Sequence, residues 1–125
     1  MHVIDHHDLP AAALPGIEHR TLAGRAQGLA HLSVWQQTIA AGATTPPHRH
    51  DCEEVVVVTA GRGRLLIDGD AHDFGAGTTL VIPPGVAHQI INVGEEPMSV
   101  TAAFSATPVG VFLPDGQPLP LPWAS

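Results

Sequence analysis

Short apolar runs alternate with glycine- and proline-bearing breaks along the whole chain. The runs SVWQQTIA (33–40), EEVVVVTA (53–60), RLLID (64–68), TTLVIP (78–83), HQIINV (88–93) and SVTAAF (99–104) are rich in β-branched residues and are predicted as strands. Breaks at Gly42, Pro46-Pro47, Gly61, Asp68-Gly69, Gly75 to Gly77, Pro83-Pro84-Gly85 and Gly94 mark turns between them. Asp68-Gly69 is the kind of pair that a two-residue hairpin turn requires. Strands at this spacing predict an all-β, antiparallel sandwich or barrel.

The flanks are less regular. LPAAALPG (9–16) carries a weak helical signal, which Pro10 and Pro15 limit to about one turn. The tail LPDGQPLPLPWAS has too many prolines for a sheet interior and is predicted to run over the surface, loosely held or pinned by the Trp123 ring. The regular core spans about residues 29–106. At 125 residues the chain reads as one domain, 1–125, with both flanks packed on that core.

Val55 to Val58 break the usual alternation of inward and outward residues. Four valines in a row predict burial on both faces of their strand. One face fills the barrel; the other needs cover, either from the chain's own terminal segments or from a second subunit, and a homodimer is favoured.

Composition narrows the partners. Five arginines, no lysine and twelve acids give a net charge of −7. That balance argues against a nucleic-acid partner, which needs a basic patch, and against an anionic membrane surface. No run approaches the roughly 18 apolar residues of a membrane-spanning helix, and the N-terminus MHVIDHHDLP lacks the regions of a signal peptide. The single cysteine, Cys52, allows no intrachain disulfide. A cytoplasmic location is the expectation.

The chemistry concentrates in PPHRHDCEEVVVV. His48 and His50, two apart, share one side of an extended segment, with Cα atoms roughly 7 Å apart. Glu54 has the same parity, but a straight strand would carry it about 20 Å from His48. Metal–ligand bonds are only about 2.0–2.2 Å long, so a shared ion requires the chain to bend across Asp51–Glu53. Downstream, Pro83-Pro84-Gly85 delivers His88 to a new strand, with Ile90 and Asn92 at the same parity. Three imidazoles and a carboxylate would suit iron, manganese, nickel, cobalt, copper or zinc.

These positions sit in two spaced patterns. The first is Gly42, His48, His50, Glu54, Gly61; the second is Gly77, Pro83, Gly85, His88, Asn92. Both are complete, and together they span Gly42 to Asn92. In this the sequence resembles the cupin family. The resemblance implies a double-stranded β-helix, or jelly-roll barrel, holding one divalent transition metal on His48, His50, Glu54 and His88, with open positions for substrate, water or dioxygen. It implies that Asn92 supports the barrel and that the glycines and Pro83 serve turns. It allows dioxygenases, isomerases, epimerases, lyases and decarboxylases. The reading is a metal-dependent enzyme acting on a small organic molecule, with a slight preference for dioxygenase-type chemistry and Glu54 exchanging between ligand and base. The alternative is a non-catalytic binder or sensor of a small ligand.

Parity places Val56, Val58 and Ile90 along the pocket, with Phe104 and Trp35 as further lining, and predicts a small, largely apolar or planar substrate. Glu53 points away. Cys52 reads as a buried filler, and His6-His7 with Asp5 and Asp8 as a solvated patch. Arg49, Arg62 and Arg64 are candidates to clamp an anionic substrate, against the commoner role of pairing with a surface acid. His2, His19, His31 and His72 receive no role.

Overall fold

The computed structural model describes residues 2–124. Nine strands follow in order: β1 (Ala11–Leu14), β2 (Ile17–Ala23), β3 (Ser33–Ile39), β4 (Glu54–Ala60), β5 (Arg62–Ile67), β6 (Asp70–Gly75), β7 (Thr78–Ile82), β8 (His88–Asn92) and β9 (Met98–Phe104). All pairings are antiparallel. They build a six-stranded sheet, β1-β2-β3-β9-β4-β7, and a three-stranded sheet, β6-β5-β8. This is the jelly-roll barrel that the resemblance implies. Among the described residues no helix is long and apolar enough to cross a membrane.

The inner faces of the two sheets make the core. Trp35, Val56, Val58, Leu80, Ile82, Val100 and Phe104 from one meet Leu65 and Ile90 from the other. Burying side chains of this size contributes about 1.5–3 kcal/mol each. Gly61 joins β4 to β5 with no intervening loop. Its φ of +86° is left-handed, and a Cβ there would stand 2.8 Å from the Met98 Cα. Only glycine satisfies both conditions. Asp68 and Gly69, with φ of 54° and 79°, close the β5–β6 hairpin in the conformation their identities predict. Asn92 is 1% exposed, and its amide is committed to the backbone. It donates to the carbonyls of Ile39 and Glu96 and accepts from the Gly94 N–H, all at 2.9 Å.

Two expectations need correction. LPAAALPG forms no helical turn; it is strand β1 and the turn into β2, with Gly16 at φ 73°. Alanine's helix preference yields here because β1 is an edge strand, where the flanking prolines interrupt no ladder. Within the single chain the valine run alternates, so the cover expected from its own terminal segments is absent. Val56 and Val58 are 1% exposed, whereas Val55 and Val57 are 38% and 42% exposed. Neither terminal segment covers the outer face of β4, and its neighbour on β7, Val81, is 70% exposed.

β2 buries a residue to which the sequence assigned nothing. His19, 2% exposed, points inward beside Ile17. Its ring stacks on Trp123 at 3.8 Å and meets Trp35 edge-on at 5.1 Å. The Gln37 amide donates to Nδ1 at 3.1 Å, so the proton sits on Nε2, which donates to Thr21 Oγ1 at 2.8 Å. Thr21 in turn donates to the Ala124 carbonyl at 3.2 Å. This chain of donors runs in one direction only while the imidazole is neutral. Burial pushes its pKa down to about 4.

The unfolded chain binds this proton near 6.5 and the folded chain near 4. Between those values the unfolded state carries more protons, so stability falls as pH falls. The slope from this group approaches about 1.4 kcal/mol per pH unit. Urea unfolding at pH 7, 5.5 and 4.5 should show a smaller acid-side loss in His19→Gln than in the unaltered protein. Equal losses would contradict a neutral, buried His19.

Candidate metal centre

Three segments bring the candidate ligands together. His48 lies in the irregular stretch between β3 and β4, where it pairs with His88 on β8. The His48 N–H donates to the His88 carbonyl at 3.1 Å, and the His88 N–H returns the bond at 2.8 Å. Directly paired residues of this kind have Cα atoms about 5.5 Å apart, and the two rings stand 4.3 Å apart. The Gly85 N–H at the Pro83-Pro84-Gly85 turn donates to the His50 carbonyl at 2.7 Å, which docks that turn beside the ligands. Bends at Asp51 and Cys52 then turn the chain, and Glu54 opens β4 between β7 and β9. The bend that distance demanded is present, and the site straddles both sheets.

The ligand atoms of His48, His50 and His88 all lie within 4.8 Å of one another. Glu54 Oε1 is 3.4 Å from His50 Nε2 and 3.3 Å from His88 Nε2. Two atoms bound to one ion at about 2.1 Å, at angles of 90–110°, stand roughly 3.0–3.4 Å apart. His50, Glu54 and His88 are 3%, 6% and 3% exposed, and His48 is half-buried.

The hydrogen bonds decide which nitrogens face inward. Each imidazole gives its Nδ1 to a backbone carbonyl: His48 to Pro46 at 2.7 Å, His50 to Gly110 at 2.9 Å, His88 to Val86 at 3.0 Å. A carbonyl only accepts, so each Nδ1 carries the proton and each Nε2 keeps a bare lone pair. His50 Nε2, His88 Nε2 and Glu54 Oε1 are buried without a hydrogen-bond partner. Acceptors therefore face acceptors, and the arrangement is incomplete without a cation or extra protons between them. The residues fit a bound metal.

Positive charge inside the cluster favours the ionised carboxylate. Burial alone would push the Glu54 carboxyl up, but hydrogen bonds and charge from protonated His50 and His88 imidazoles would outweigh it and hold the group at about 2, a role that a cation takes over when both Nε2 atoms are bare. Burial, with the like charge of His88, drops His48 to about 4. At neutral pH the carboxylate is ionised and the His48 imidazole is neutral, as metal ligands must be.

A cavity of about 50 Å³ opens beside the ligands. Trp35, Val56 and Ile90 line it, together with His48, Glu54 and His88. Val58 and Phe104 are buried but do not line it. Val58 lies four residues along β4 from Glu54, some 13 Å away. The Phe104 ring packs behind His50 and Trp35, at 4.9 and 4.5 Å. The remaining polar lining is Gln37 and Thr45. Val111, Leu119, Leu121 and Trp123 close the mouth, so the tail predicted for the surface forms part of the pocket wall. Alternating prolines concealed that role, because they carry no period that points to a buried face.

None of the arginines lines the cavity. Arg64 pairs with Asp73 at 2.7 Å on the surface, and Arg49 pairs through its backbone with Phe112. Cys52 is buried in the core, and burial raises its thiol pKa, which leaves it unreactive. Asp5 and His7 form an exposed contact of 3.1 Å.

Comparison with known proteins agrees with this geometry. Auxin-binding protein 1 of Arabidopsis thaliana is 38% identical over 109 residues, covering 79% of this chain and 55% of that protein. Auxin-binding protein T85 of Nicotiana tabacum is 38% identical over 117 residues, covering 84% and 63%. The chain thus spans little more than half the length of these curated relatives. Among solved structures, the polyketide cyclase RemF from Streptomyces resistomycificus superposes with a TM-score of 0.73 at 21% identity, covering 87% of this chain and 83% of that one, a likeness of fold alone. Recombinant oxalate oxidase in complex with glycolate gives 0.70 at 26% identity, covering 78% and 55%. The family description "Cupin domain" matches residues 35–104. A barrel of this topology, centred on both spaced patterns and matched over more than half its length, makes the chain a member of the cupin family.

Proposed function

We propose that this protein holds one divalent transition metal on His48, His50, Glu54 and His88 and uses it to bind a small oxygen-bearing organic molecule. One observation carries the reading: three buried acceptor atoms converge with no donor among them. When bound, the metal supplies a Lewis acid with open coordination positions. The chain supplies the rest. Carbonyls of Pro46, Val86 and Gly110 fix the ring orientations. Trp35, Val56 and Ile90 exclude water. Similarity to the auxin-binding proteins supports a small organic ligand, and likeness to an oxalate oxidase in complex with glycolate supports a carboxylate as the bound group.

Catalysis at the same centre is the second reading. Among the described cavity-lining residues only His48, Glu54 and His88 titrate. Proton-shuttling reactions of the isomerase or lyase type would need a further acid or base. Dioxygenase-type chemistry, with both reactants at open positions, needs none. The uncovered Val55, Val57 and Val81 face carries no charge in a chain of net charge −7, which supports a homodimer through it.

Four outcomes are expected. Elemental analysis after reconstitution should give about one cobalt or zinc per chain, with affinity reduced at least 10-fold in Glu54→Gln. The metal-free Glu54→Gln protein should melt no lower than the metal-free parent, because the new amide donates to a bare Nε2. A lower melting temperature would contradict the assigned tautomers. Aerobic incubation of the iron form with aryl and short-chain carboxylates separates the readings: ligand recovered unchanged supports a binder, and oxygen uptake supports an oxygenase. Sedimentation should give a dimer that Val57→Glu converts to monomer; a monomeric parent would remove the dimer.

A further inference from the structure

The metal cavity, at about 50 Å³, has room for one or two waters. A cavity that takes benzene is about 150 Å³. On the far side of Trp123 lies a second, larger pocket of about 660 Å³, within the ordinary range for organic ligands. Its lining includes Leu9, Pro10, Thr21, Arg25, Pro108 and Trp123. The walls are largely apolar, and Arg25 brings a guanidinium that forms no ion pair among the described residues. Trp123 lines both spaces.

Trp123 is held by its side chain and not by backbone pairing among the described residues. The last backbone bond before it is Leu119 N–H to the Val111 carbonyl, at 3.0 Å. Pro120 and Pro122 offer no N–H. Beyond Leu119 the contacts among the described residues are made by side chains: Leu121 and Trp123 pack on the core, the indole stacks on His19 and meets Trp35 edge-on at 5.6 Å, and Thr21 donates to the Ala124 carbonyl. Among the described residues the buried Trp123 indole N–H has no hydrogen-bond partner, which further weakens the closed position. A segment with no backbone–backbone bond beyond Leu119 among the described residues opens more readily than the paired strands.

We propose that Trp123 is a gate between the two pockets, and that ligands of more than about three heavy atoms reach the metal centre only when residues 120–124 swing away. The opened space joins the metal to the outer pocket. It therefore fits an apolar carboxylate whose anionic group meets the metal and whose body lies toward Arg25 and the apolar outer wall. Formate-sized anions pass without the swing. The proposal rests on the metal reading above.

The test uses the cobalt(II)-loaded full chain and follows the visible spectrum after mixing with sodium formate or sodium benzoate. In Trp123→Ala the benzoate association rate should rise at least 10-fold, while formate stays within 2-fold. Thr21→Val keeps the indole but removes both the bond to Ala124 and the acceptor that orients His19 beneath it; it should raise the benzoate rate 2- to 5-fold. Equal changes for both anions, or no change for benzoate in either variant, would overturn the gate. So would benzoate binding to Trp123→Ala but not to the parent, which would make the residue a fixed wall. Failure to take up cobalt would instead sink the metal reading. In that case, or if benzoate binds to neither protein, acrylamide quenching decides. With Trp35→Phe leaving Trp123 as sole fluorophore, adding Thr21→Val should at least double the quenching constant; an unchanged constant overturns the gate.

Discussion

Three bonds from imidazole Nδ1–H groups to backbone carbonyls set the character of this protein. Each is an ordinary contact of 2.7–3.0 Å. Together they turn three Nε2 lone pairs inward, toward a carboxylate that also only accepts. Buried acceptors facing one another are unfavourable unless something positive sits between them. The barrel thus contains a built-in demand for a cation, and its chemistry follows from that demand.

The fold meets the geometric side of this demand with few elements. A paired His48 and His88 lock two rings side by side. A bend of three residues brings Glu54 across from the other sheet. The Pro83-Pro84-Gly85 turn docks on His50. Gly61 and Asn92, at the far ends of their strands, act on the site only through the barrel. They hold β4, β5 and β8 in the register that aims the ligands.

The tail gives the site a second layer. Its prolines prevent pairing within a sheet, so it lies across the barrel mouth and meets β2 through the His19–Trp123 stack. A buried neutral histidine at that position links the N-terminal hairpin to the C-terminal end, and through Trp35 to the centre of the barrel. Trp123 lines both the small inner cavity and the larger outer one.

Much was legible from local pattern. β-Branched runs between glycine and proline breaks marked six of the strands, because residue type and turn chemistry act over a few residues. The spacing of His48, His50, Glu54 and His88 identified the site, because ligands two apart on an extended chain share a side. Other features were decided only by the tertiary structure. β1 and β2 are strands because β3 offers them an edge, not because alanine favours it. Whether Val55 and Val57 were covered depended on where the terminal segments ran, and they ran elsewhere. His19 and Trp123, 104 residues apart, meet through the path of the tail, which no local period encodes. Which nitrogen of each ligand faces the ion was likewise set by carbonyls two to sixty residues away.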